Sequence, residues 1–313
     1  MRALAIFALV AGCYDPHPAE GVPCGDDGVC PSGQTCVGMV CLAHVRGDDA
    51  SPRPLDGHIT ANDSDGDGID NSADNCLDVA NPDQANEDGD KFGDACDPCP
   101  VEANDTPSDP DGDGVADGCD PHPMTAGDKI VVFEGFAHGI PSTWTVVGTT
   151  STAPGTISLT TVANNHTSVV APGTFANATV SVGLQVDMQV GSFDSSSTIT
   201  MPYDPNSDNG IFCEVYAPMA ASTNGRYLSL YDSLAMNGMG LEIGTAGFSW
   251  QLATTYRVSL TRSGNKYTCA AFDGTTTHTT IGNSNSTPAS SRAATAVYGA
   301  NETVRWFMVV TSP

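Results

Sequence analysis

The C-terminal part of the chain alternates apolar and polar residues in short segments, a pattern typical of half-buried β-strands. Between residues 178 and 191, the apolar side chains of Val180, Val182, Leu184 and Val186 occupy every second position. Turn residues separate such segments, and no long helical period runs through them. We therefore predict strands in the segments 129–134, 143–148, 155–163, 178–191, 210–218, 226–232, 255–263, 265–273 and 303–311.

These strands predict that residues 124–313 form an all-β sandwich. The segment from Tyr256 to Gly274 alternates on both sides of Ser-Gly-Asn at 263–265, which predicts a hairpin. Cys213 and Cys269 lie in two of the predicted strands, and we expect them to form a disulfide that links two strands of one sheet. The chain is thus predicted to be mostly β, with a segment of little regular secondary structure before the sandwich.

Residues 62–123 have no apolar period and are instead rich in Asp and Gly. Three windows of twelve residues, which begin at residues 63, 86 and 109, align so that positions 1, 3, 5 and 12 all carry a side-chain oxygen. Two carboxylates 4 Å apart repel by about 1 kcal/mol even in water, so a compact loop of this kind requires a cation. The aligned residues are Asp63, Asp65, Asp67 and Asp74; Asn86, Asp88, Asp90 and Asp97; and Asp109, Asp111, Asp113 and Asp120.

The remaining positions of the windows favour calcium as that cation. Position 6 is Gly68 or Gly114, where the chain must turn sharply. Calcium takes six to eight oxygens at about 2.3–2.6 Å, whereas magnesium requires a stricter octahedron. No His or Cys stands at a ligand position to favour a transition metal. Further candidate ligands are the backbone carbonyls of Ile69, Phe92 and Val115 at position 7 and the carboxylates of Asp94 and Asp117 at position 9.

The segment 62–121 resembles thrombospondin type 3 repeats, most clearly in Asn-Pro-Asp-Gln at 81–84 and Gly-Asp-Ala-Cys-Asp at 93–97. It is less similar to an EF-hand, because no amphipathic helix flanks the windows. Asn86 and Lys91 depart from the family pattern, which predicts a weaker second site. The resemblance implies a chain wrapped around calcium ions with almost no apolar core, and disulfides between successive repeats. These disulfides would pair Cys76 with Cys96 and Cys99 with Cys119. The alternative is a disordered acidic linker.

The first thirteen residues, MRALAIFALVAGC, combine one basic residue, a short apolar run and small residues, the layout of a secretory signal. Leu-Val-Ala-Gly-Cys at 9–13 resembles the lipobox of bacterial lipoproteins, which implies cleavage after residue 12 and acylation of Cys13. We therefore predict an exported lipoprotein of the outer membrane or cell surface of a Gram-negative bacterium, held to the membrane by its N-terminal lipid. The alternatives are an ordinary signal peptide and an N-terminal strand.

Residues 13–44 form a small cysteine-rich module in this prediction. Its Cys24, Cys30, Cys36 and Cys41 stand among Gly and Pro residues, and in an exported chain they indicate two disulfides. Three connectivities are possible, and a zinc site is the alternative. The predicted order along the chain is a signal peptide at 1–12, the module at 13–44, a linker at 45–61, the repeats at 62–123 and the sandwich at 124–313.

The distribution of charge excludes one class of partner. The chain has 37 acidic and 11 basic side chains and a formal net charge of −26. More than half of the acidic side chains lie between residues 46 and 128, where the basic ones are Arg46, Arg53 and Lys91. Because contacts to phosphate require Lys and Arg, nucleic acid is excluded as a partner.

The C-terminal segment resembles the concanavalin-A-like jelly rolls of the laminin-G kind. The similar residues are Phe-Glu-Gly-Phe at 133–136, the hairpin at 256–274 and Val-Arg-Trp-Phe-Met-Val-Val at 304–310. The resemblance implies a two-sheet jelly roll, whose members often bind sugars on a concave sheet or at loop tips. Each Trp lies in or beside a predicted strand, which favours a place in the core. The aromatic candidates for sugar binding are Trp144, Trp250, Trp306, Tyr203, Tyr216 and Tyr227.

Catalysis is not predicted. Sugar hydrolysis needs two carboxyl groups that flank the bond, and the sandwich lacks the carboxylate cluster that glucanases of this fold carry on one strand. No Ser-His-Asp or Cys-His arrangement is present in the sequence either. The glutamates of the segment are Glu134, Glu214, Glu242 and Glu302.

The sequence thus favours a lipid-anchored, non-enzymatic adhesion or binding protein. A stalk stiffened by calcium would present a lectin-like head to a glycan or to an extracellular protein. The alternatives are a structural surface protein without a specific ligand and a carbohydrate-active hydrolase.

Overall fold

The computed structural model describes residues 22–23, 34–37, 40–43, 62–161, 165–190, 194–218, 225–287 and 290–313. The chain divides into two compact units, Met1–Leu55 and Asp56–Pro313. In the first unit, strands β1 (Val22–Pro23), β2 (Gln34–Val37) and β3 (Val40–Ala43) form an antiparallel sheet in the order β1-β3-β2. The predicted lipid attachment and module disulfides depend on residues that lie outside the described ones, namely Cys13, Cys24 and Cys30.

Residues 62–128 of the second unit form turns and loops, and this described segment contains no helix and no strand longer than the single bridge residue Asp63. Gly68 and Gly114, at position 6 of the first and third windows, have φ angles of +93° and +96°. A side chain at either position would be strained, which explains why the sharp turns carry glycine. Disulfides join Cys76 to Cys96 and Cys99 to Cys119, the pairs that the thrombospondin-like pattern implies.

The described part of residues 129–313 consists of strands, turns and one helical turn, α1 (Ala235–Gly238). Each of the nine predicted segments overlaps one of these strands. No described helix is long and apolar enough to cross a membrane. The strands are β4 (Lys129–Glu134), β5 (Thr145–Val147), β6 (Thr149–Ala153), β7 (Thr156–Thr160), β8 (His166–Val170), β9 (Ala178–Gln189), β10 (Ser195–Asp204), β11 (Asn209–Ala217), β12 (Tyr227–Asp232), β13 (Leu241–Gly247), β14 (Thr255–Ser263), β15 (Lys266–Phe272), β16 (Thr277–Asn283), β17 (Arg292–Tyr298) and β18 (Ala300–Thr311).

These strands form two antiparallel sheets that enclose one apolar core. One sheet has seven strands in the order β13-β12-β11-β10-β17-β8-β5. The other has eight, in the order β16-β15-β14-β9-β18-β7-β6, with β4 also paired to β18. Val182 and Leu184 of one sheet and Ile199 and Leu228 of the other are fully buried between them. Burial of such a side chain contributes about 1.5–3 kcal/mol. The mostly β, jelly-roll-like sandwich is therefore confirmed.

The predicted hairpin is present, but the predicted disulfide geometry is wrong. Strands β14 and β15 pair with Ser263 opposite Lys266, so the chain turns at two intervening residues. The Cys213–Cys269 disulfide joins β11 of the seven-stranded sheet to β15 of the eight-stranded sheet, and not two strands of one sheet. Both cysteines occupy core-facing positions of their strands, so the bond crosses the interior and links the sheets.

The alternation does not predict six of the strands, namely β6, β8, β10, β13, β16 and β17. Strand β10 shows the reason, since its sequence SSSTITMPYD is buried along the whole strand although Ser and Thr dominate it. Several of its hydroxyl groups have partners within the sandwich; for example, the Thr198 Oγ1 donates to the Ala296 carbonyl at 3.1 Å. The Thr200 Oγ1 is an exception, since it is buried and has no partner among the described residues. Buried hydroxyls with partners cost little, so a polar segment can form a central strand.

The third acidic loop packs against the outer face of the eight-stranded sheet. Val115 is 2% exposed and lies with Cys99 and Cys119 against Trp306 and Met308 of β18. The implied near-absence of an apolar core does not hold for this loop, because the sandwich supplies the apolar partners.

Candidate cation-binding loops and a carboxylate-lined groove

The three acidic windows fold into loops of the same local geometry. In the first loop, the backbone N–H groups of Gly66 and Gly68 donate to the Asp63 carboxylate at 2.8 and 3.1 Å, and Ile69 N–H donates to Asp67 at 2.8 Å. The third loop repeats these contacts on Asp109 and Asp113. In the second loop, Gly89 N–H donates to Asn86 Oδ1 and Phe92 N–H to Asp90 Oδ1. The backbone therefore fixes the side-chain oxygens at equivalent places in all three loops.

Each loop gathers three carboxylates closely enough to hold a metal ion. Within each group, one ligand atom of every residue lies within 4.8 Å of the corresponding atoms of the other two. Loops one and three use positions 1, 3 and 5, and loop two uses positions 3, 5 and 12. The groups are Asp63, Asp65 and Asp67; Asp88, Asp90 and Asp97; and Asp109, Asp111 and Asp113.

Several carboxylate oxygens of these loops are shielded from solvent and have no hydrogen-bond partner among the described residues. They stand at position 3 or 12 of a window, and they are the Oδ2 atoms of Asp65, Asp74, Asp88, Asp111 and Asp120. An unpartnered buried carboxylate oxygen is costly, and native proteins rarely leave one without a compensating group. The recurrence at equivalent positions indicates a missing partner of positive charge. The oxygen-only donor set fits a hard divalent cation such as calcium.

The electrostatics of the loops agree with this interpretation. Burial raises the pKa of Asp97 to about 6, and the charges of Asp88 and Asp90 add to the effect. Burial and neighbouring carboxylates likewise raise the pKa values of Asp65 and Asp111. Each of these carboxylates is therefore destabilised in its charged form until a positive charge is supplied.

Not all the predicted ligands join the three groups. Asp117 is exposed, and Asp94 Oδ1 accepts the Glu87 N–H at 2.8 Å; both lie outside the groups. Conversely, the windows do not include Asp128, which is fully buried and lies close to Asp113 and Asp120. One feature of the sequence could have indicated Asp128: it is the last acidic residue before the first strand of the sandwich.

A groove of about 540 Å³ lies on the outer face of the seven-stranded sheet. Strand β11 alternates so that Ile211, Cys213 and Val215 face the core, whereas Phe212, Glu214 and Tyr216 face the groove. The strand register places Tyr216 opposite Tyr227 of β12, with ring centroids 4.9 Å apart. The pleat of neighbouring strands thus aligns aromatic side chains and carboxyl groups across the sheet.

Two glutamates meet in this groove, although they are far apart in sequence and were expected to form no cluster. Glu242 Oε2 accepts from the Tyr227 hydroxyl at 3.1 Å and from the Ser229 hydroxyl at 3.2 Å. Glu214 lies directly opposite Ser229 on the neighbouring strand. Burial raises the pKa of Glu214 to about 7; the Ser229 hydrogen bond opposes this rise and the charge of Glu242 adds to it. The pair forms because β11, β12 and β13 are adjacent, and β13 is one of the strands that the alternation does not predict.

The far wall of the groove carries further polar groups. His166 Nδ1 lies 3.2 Å from Asp208 Oδ2, and the Tyr203 hydroxyl donates to Asp208 Oδ1 at 2.8 Å. His166 Nε2 is buried and has no partner among the described residues. The Tyr216 hydroxyl donates to Asp194 at 2.6 Å. Burial, together with the charge of Glu242, raises the pKa of Tyr227 to about 12, as expected in a negatively charged groove.

The remaining candidate residues lie elsewhere. Trp250 is 1% and Trp306 7% exposed, and Trp144 packs edge-on against Phe307 with centroids 5.1 Å apart, so none of the three lines the groove. Glu302 is fully buried between the sheets, where it accepts from the Ser197 and Thr295 hydroxyls. Burial raises the pKa of Glu302 to about 8, so this residue is a neutral acid at pH 7. Glu134 Oε1 accepts the Phe136 N–H at 2.8 Å, outside the groove.

Comparison with known proteins yields distant structural similarities only. No family model and no curated protein matches the chain. The carbohydrate-binding module CBM66 from Bacillus subtilis is 12% identical, over 52% of this chain and 92% of that one, with a TM-score of 0.42. The Ca²⁺-bound exoplasmic/lumenal domain of VIP36 is 11% identical over 56% and 88%, with a TM-score of 0.44. A β-glucanase from Bacillus licheniformis is 14% identical over 60% and 100%, with a TM-score of 0.42. Similarities at this level indicate no function for this protein.

Proposed function

We propose that this protein is an exported calcium-binding protein whose loops at 62–121 hold calcium ions and whose sandwich binds a glycan in the groove. The observation that carries the calcium proposal is the set of shielded, unpartnered Oδ2 atoms at equivalent positions of the loops. Bound calcium would supply the positive charge for which these carboxylates are arranged. It would also hold the turns closed, because alternate side chains of each loop would share one ion.

Two finer features of the proposal rest on the sequence. The register of the three windows and the two twenty-residue disulfide loops support thrombospondin type 3-like repeats. The lipobox-like Leu-Val-Ala-Gly-Cys at 9–13 supports attachment to a membrane through a lipid on Cys13. Metabolic labelling of the expressed precursor with a fatty acid tests the second feature. Label that disappears in Cys13→Ser supports the anchor, and an unlabelled wild-type chain contradicts it.

Calorimetric titration of the chelator-treated full chain with calcium tests the first part of the proposal. We expect saturable binding of several ions per chain, with affinity in the range of about 10⁻⁴–10⁻³ M that extracellular modules show. Asp88→Asn should remove or weaken one site, because Asp88 belongs to the second group and its Oδ2 has no other partner. Asp78→Asn is the matched control, since Asp78 is exposed and lies outside the groups. A wild-type chain that releases no binding heat and retains no calcium on dialysis would refute the proposal.

The chemistry of the groove favours a glycan as its ligand. Stacked or tilted aromatic rings offer apolar faces to sugar rings, and carboxylates accept hydrogen bonds from hydroxyl groups. The described residues that line the groove include the carboxyl groups of Asp194, Asp208, Glu214 and Glu242, and no Lys or Arg. A uronic acid or sulfated sugar would be repelled there. We therefore expect a neutral sugar or an amino sugar as the ligand.

A glycan array at millimolar calcium tests this part, with neutral, amino and acidic sugars represented. Binding should be confined to the first two classes, and Tyr216→Ala or Tyr227→Ala should weaken it at least tenfold. Ile281→Ala is the control, because Ile281 is exposed on β16 of the other sheet. Failure to bind any sugar, or binding that the two tyrosine substitutions leave unchanged, would argue against the groove as a glycan site.

A second candidate function is glycoside hydrolysis in the same groove. The observation that favours it is the pairing of Glu214 and Glu242 around Ser229, with the pKa of Glu214 raised to about 7. A protonated acid beside a second carboxyl group is the arrangement that glycosidases use. If the protein hydrolyses any glycan that it binds, both Glu214→Gln and Glu242→Gln should abolish hydrolysis and retain binding. Bound glycan that stays intact with the wild-type protein would exclude this function for that ligand.

A further inference from the structure

The segment after the third acidic loop folds back onto that loop. Asp113 Oδ2 accepts the backbone N–H of Gly127 at 2.8 Å and that of Asp128 at 2.7 Å. Asp128 is the last residue before β4, which pairs with β18 of the sandwich. The fold-back therefore brings a side chain from the edge of the sandwich to the end of the loop.

Three carboxyl groups converge at this junction. Asp113, Asp120 and Asp128 each offer an oxygen within 4.8 Å of the other two, and Asp128 is 0% and Asp120 9% exposed. Asp120 Oδ1 accepts the His122 N–H at 2.6 Å. The other oxygen, Asp120 Oδ2, is shielded from solvent and has no hydrogen-bond partner among the described residues. The Asp120 Oδ2 can therefore accept a further contact, and it lies within this group of carboxyl groups.

Among the described side chains, one imidazole contacts the group. His122 Nδ1 lies 3.0 and 3.3 Å from the two Asp128 oxygens, and no other described residue forms an ion pair with the group. This imidazole, whose side chain is 45% exposed, contacts Asp128 and leaves the Asp120 Oδ2 without a partner. Buried carboxylates that face each other are costly unless a proton, a hydrogen-bond donor or a cation lies between them.

We propose that Asp113, Asp120 and Asp128 bind a divalent cation at the junction of the third loop and β4. The site is distinct from the Asp109, Asp111 and Asp113 group, with which it shares one residue. Its oxygen donors select a hard cation, and calcium is the one that the proposed function already requires; the inference rests on that function. The His122 imidazole orients the Asp128 carboxylate, as groups hydrogen-bonded to ligands commonly do.

The bound ion would fasten the loops to the sandwich. Asp113 and Asp120 belong to the loop, whereas Asp128 leads directly into β4. The same loop already contacts β18 through Val115, and its Gly118 carbonyl accepts a hydrogen bond from Arg257 Nη1 at 3.0 Å. Calcium at the junction should therefore stabilise the sandwich itself.

The three loops offer an internal comparison. In each, the position-5 aspartate accepts a backbone N–H fourteen residues later: Asn81 N–H on Asp67, Asn104 N–H on Asp90 and Gly127 N–H on Asp113. The next residue is Pro82 in the first loop and Asp105 in the second. Asp105 is exposed, and its Oδ1 accepts the Lys91 N–H. Only the third loop places a buried carboxylate at this position, so Asp105→Asn is a matched control for Asp128→Asn.

The test compares these two variants and the wild-type full chain by counting bound calcium in native mass spectrometry and by thermal unfolding of the sandwich. We expect Asp128→Asn to bind one ion fewer and to lose most of the calcium-dependent rise in Tm, while Asp105→Asn matches the wild type. In chelator, Asp128→Asn should melt at or above the wild-type Tm, since it removes a repelling charge. If Asp128 had only a structural role, Asp128→Asn would instead lower the Tm both with and without calcium.

The outcomes separate this inference from the proposed function. If the wild-type chain binds no calcium, both fail. If it binds calcium but Asp128→Asn retains every ion and the full rise in Tm, the junction site alone is refuted. Asp120→Asn provides a second variant for the case that Asp128→Asn does not fold. It should also lose at least one ion, and an unchanged ion count in this variant would overturn the proposal.

Discussion

The acidic loops of residues 62–128 and the sandwich of residues 129–313 are stabilised by different interactions. The sandwich buries alternate Val, Leu and Ile side chains between two sheets, whereas the loops bury carboxylate oxygens and close with two disulfides. Apolar burial requires nothing from solution, but a buried carboxylate requires a proton, a donor or a cation. The sandwich can therefore fold on its own side chains, whereas the loops, on the proposed function, depend on bound ions.

The largest effect should come from a cavity in the sandwich core. Leu184 is fully buried between the sheets, so Leu184→Ala should lower the free energy of unfolding by about 2–5 kcal/mol. Denaturant unfolding in saturating calcium measures this loss, while the number of calcium ions bound should not change. Leu252→Ala is the control, because Leu252 is 39% exposed and its truncation should cost less than about 0.5 kcal/mol. Loss of calcium binding in Leu184→Ala would mean that the two regions are not separable.

Removal of calcium should act on the opposite region. An ion present at a hundred times its Kd stabilises its site by about 2.7 kcal/mol. Chelation should therefore speed amide hydrogen exchange at residues 63–120 by roughly a hundredfold. Central strands β9 and β14 should respond less, by the part of the stabilisation that the proposed junction ion transmits to the sandwich. Exchange rates that rise equally in both regions, or in neither, would contradict the separation of the two stabilising mechanisms.

A single ligand substitution should have a smaller, local effect. Asp111 has one shielded, unpartnered oxygen in the third group, so Asp111→Asn should weaken one calcium site by about tenfold, or about 1.4 kcal/mol. Calorimetry measures this affinity. The control Asp117→Asn should bind as the wild type does, because Asp117 is exposed and lies outside the groups. Equal losses of calcium affinity in Asp111→Asn and Asp117→Asn would indicate that position 9 supplies a ligand, and would contradict the three groups described above.

The last predicted effect is a dependence of sandwich stability on pH. Glu302 has a folded pKa of about 8 against an ordinary value of 4.5, so the folded state holds a proton that the unfolded state releases between these values. The contribution of Glu302 to the free energy of unfolding should therefore be greatest below pH 4.5. It should fall as the pH rises towards 8, by at most about 1.4 kcal/mol per pH unit. Denaturant unfolding in saturating calcium at pH 6 and pH 8 measures the slope. Glu302→Gln should flatten it; an unchanged slope would assign the dependence to another group.

The fold was predictable where the sequence alternates and not where hydroxyl groups replace apolar ones. Val180, Val182 and Leu184 gave a clear period of two, and the strand they predict is central to the eight-stranded sheet. Strand β10 offers no such period, since Ser and Thr residues of this strand are buried, and several, such as Thr198, form hydrogen bonds within the sandwich. Such partners are known only once the strands are assembled.

The candidate sites also differ in how far the sequence alone could predict them. The loop carboxylates could be found from spacing, because positions 1, 3 and 5 of one tight turn face one centre whatever surrounds it. Glu214 and Glu242 could not, because their proximity depends on the order β11-β12-β13. Asp128 was also missed, since it reaches the third loop only through the fold-back of residues 120–128.

Crystals grown with calcium provide the most direct measurement for the central claim, that residues 62–128 are arranged around divalent cations. Anomalous difference maps should show a peak within each acidic group, with carboxylate oxygens at about 2.3–2.6 Å from it and the Oδ2 atoms of Asp65, Asp88 and Asp111 among the ligands. Loops of the same conformation that hold only water at these positions, at saturating calcium, would contradict the account.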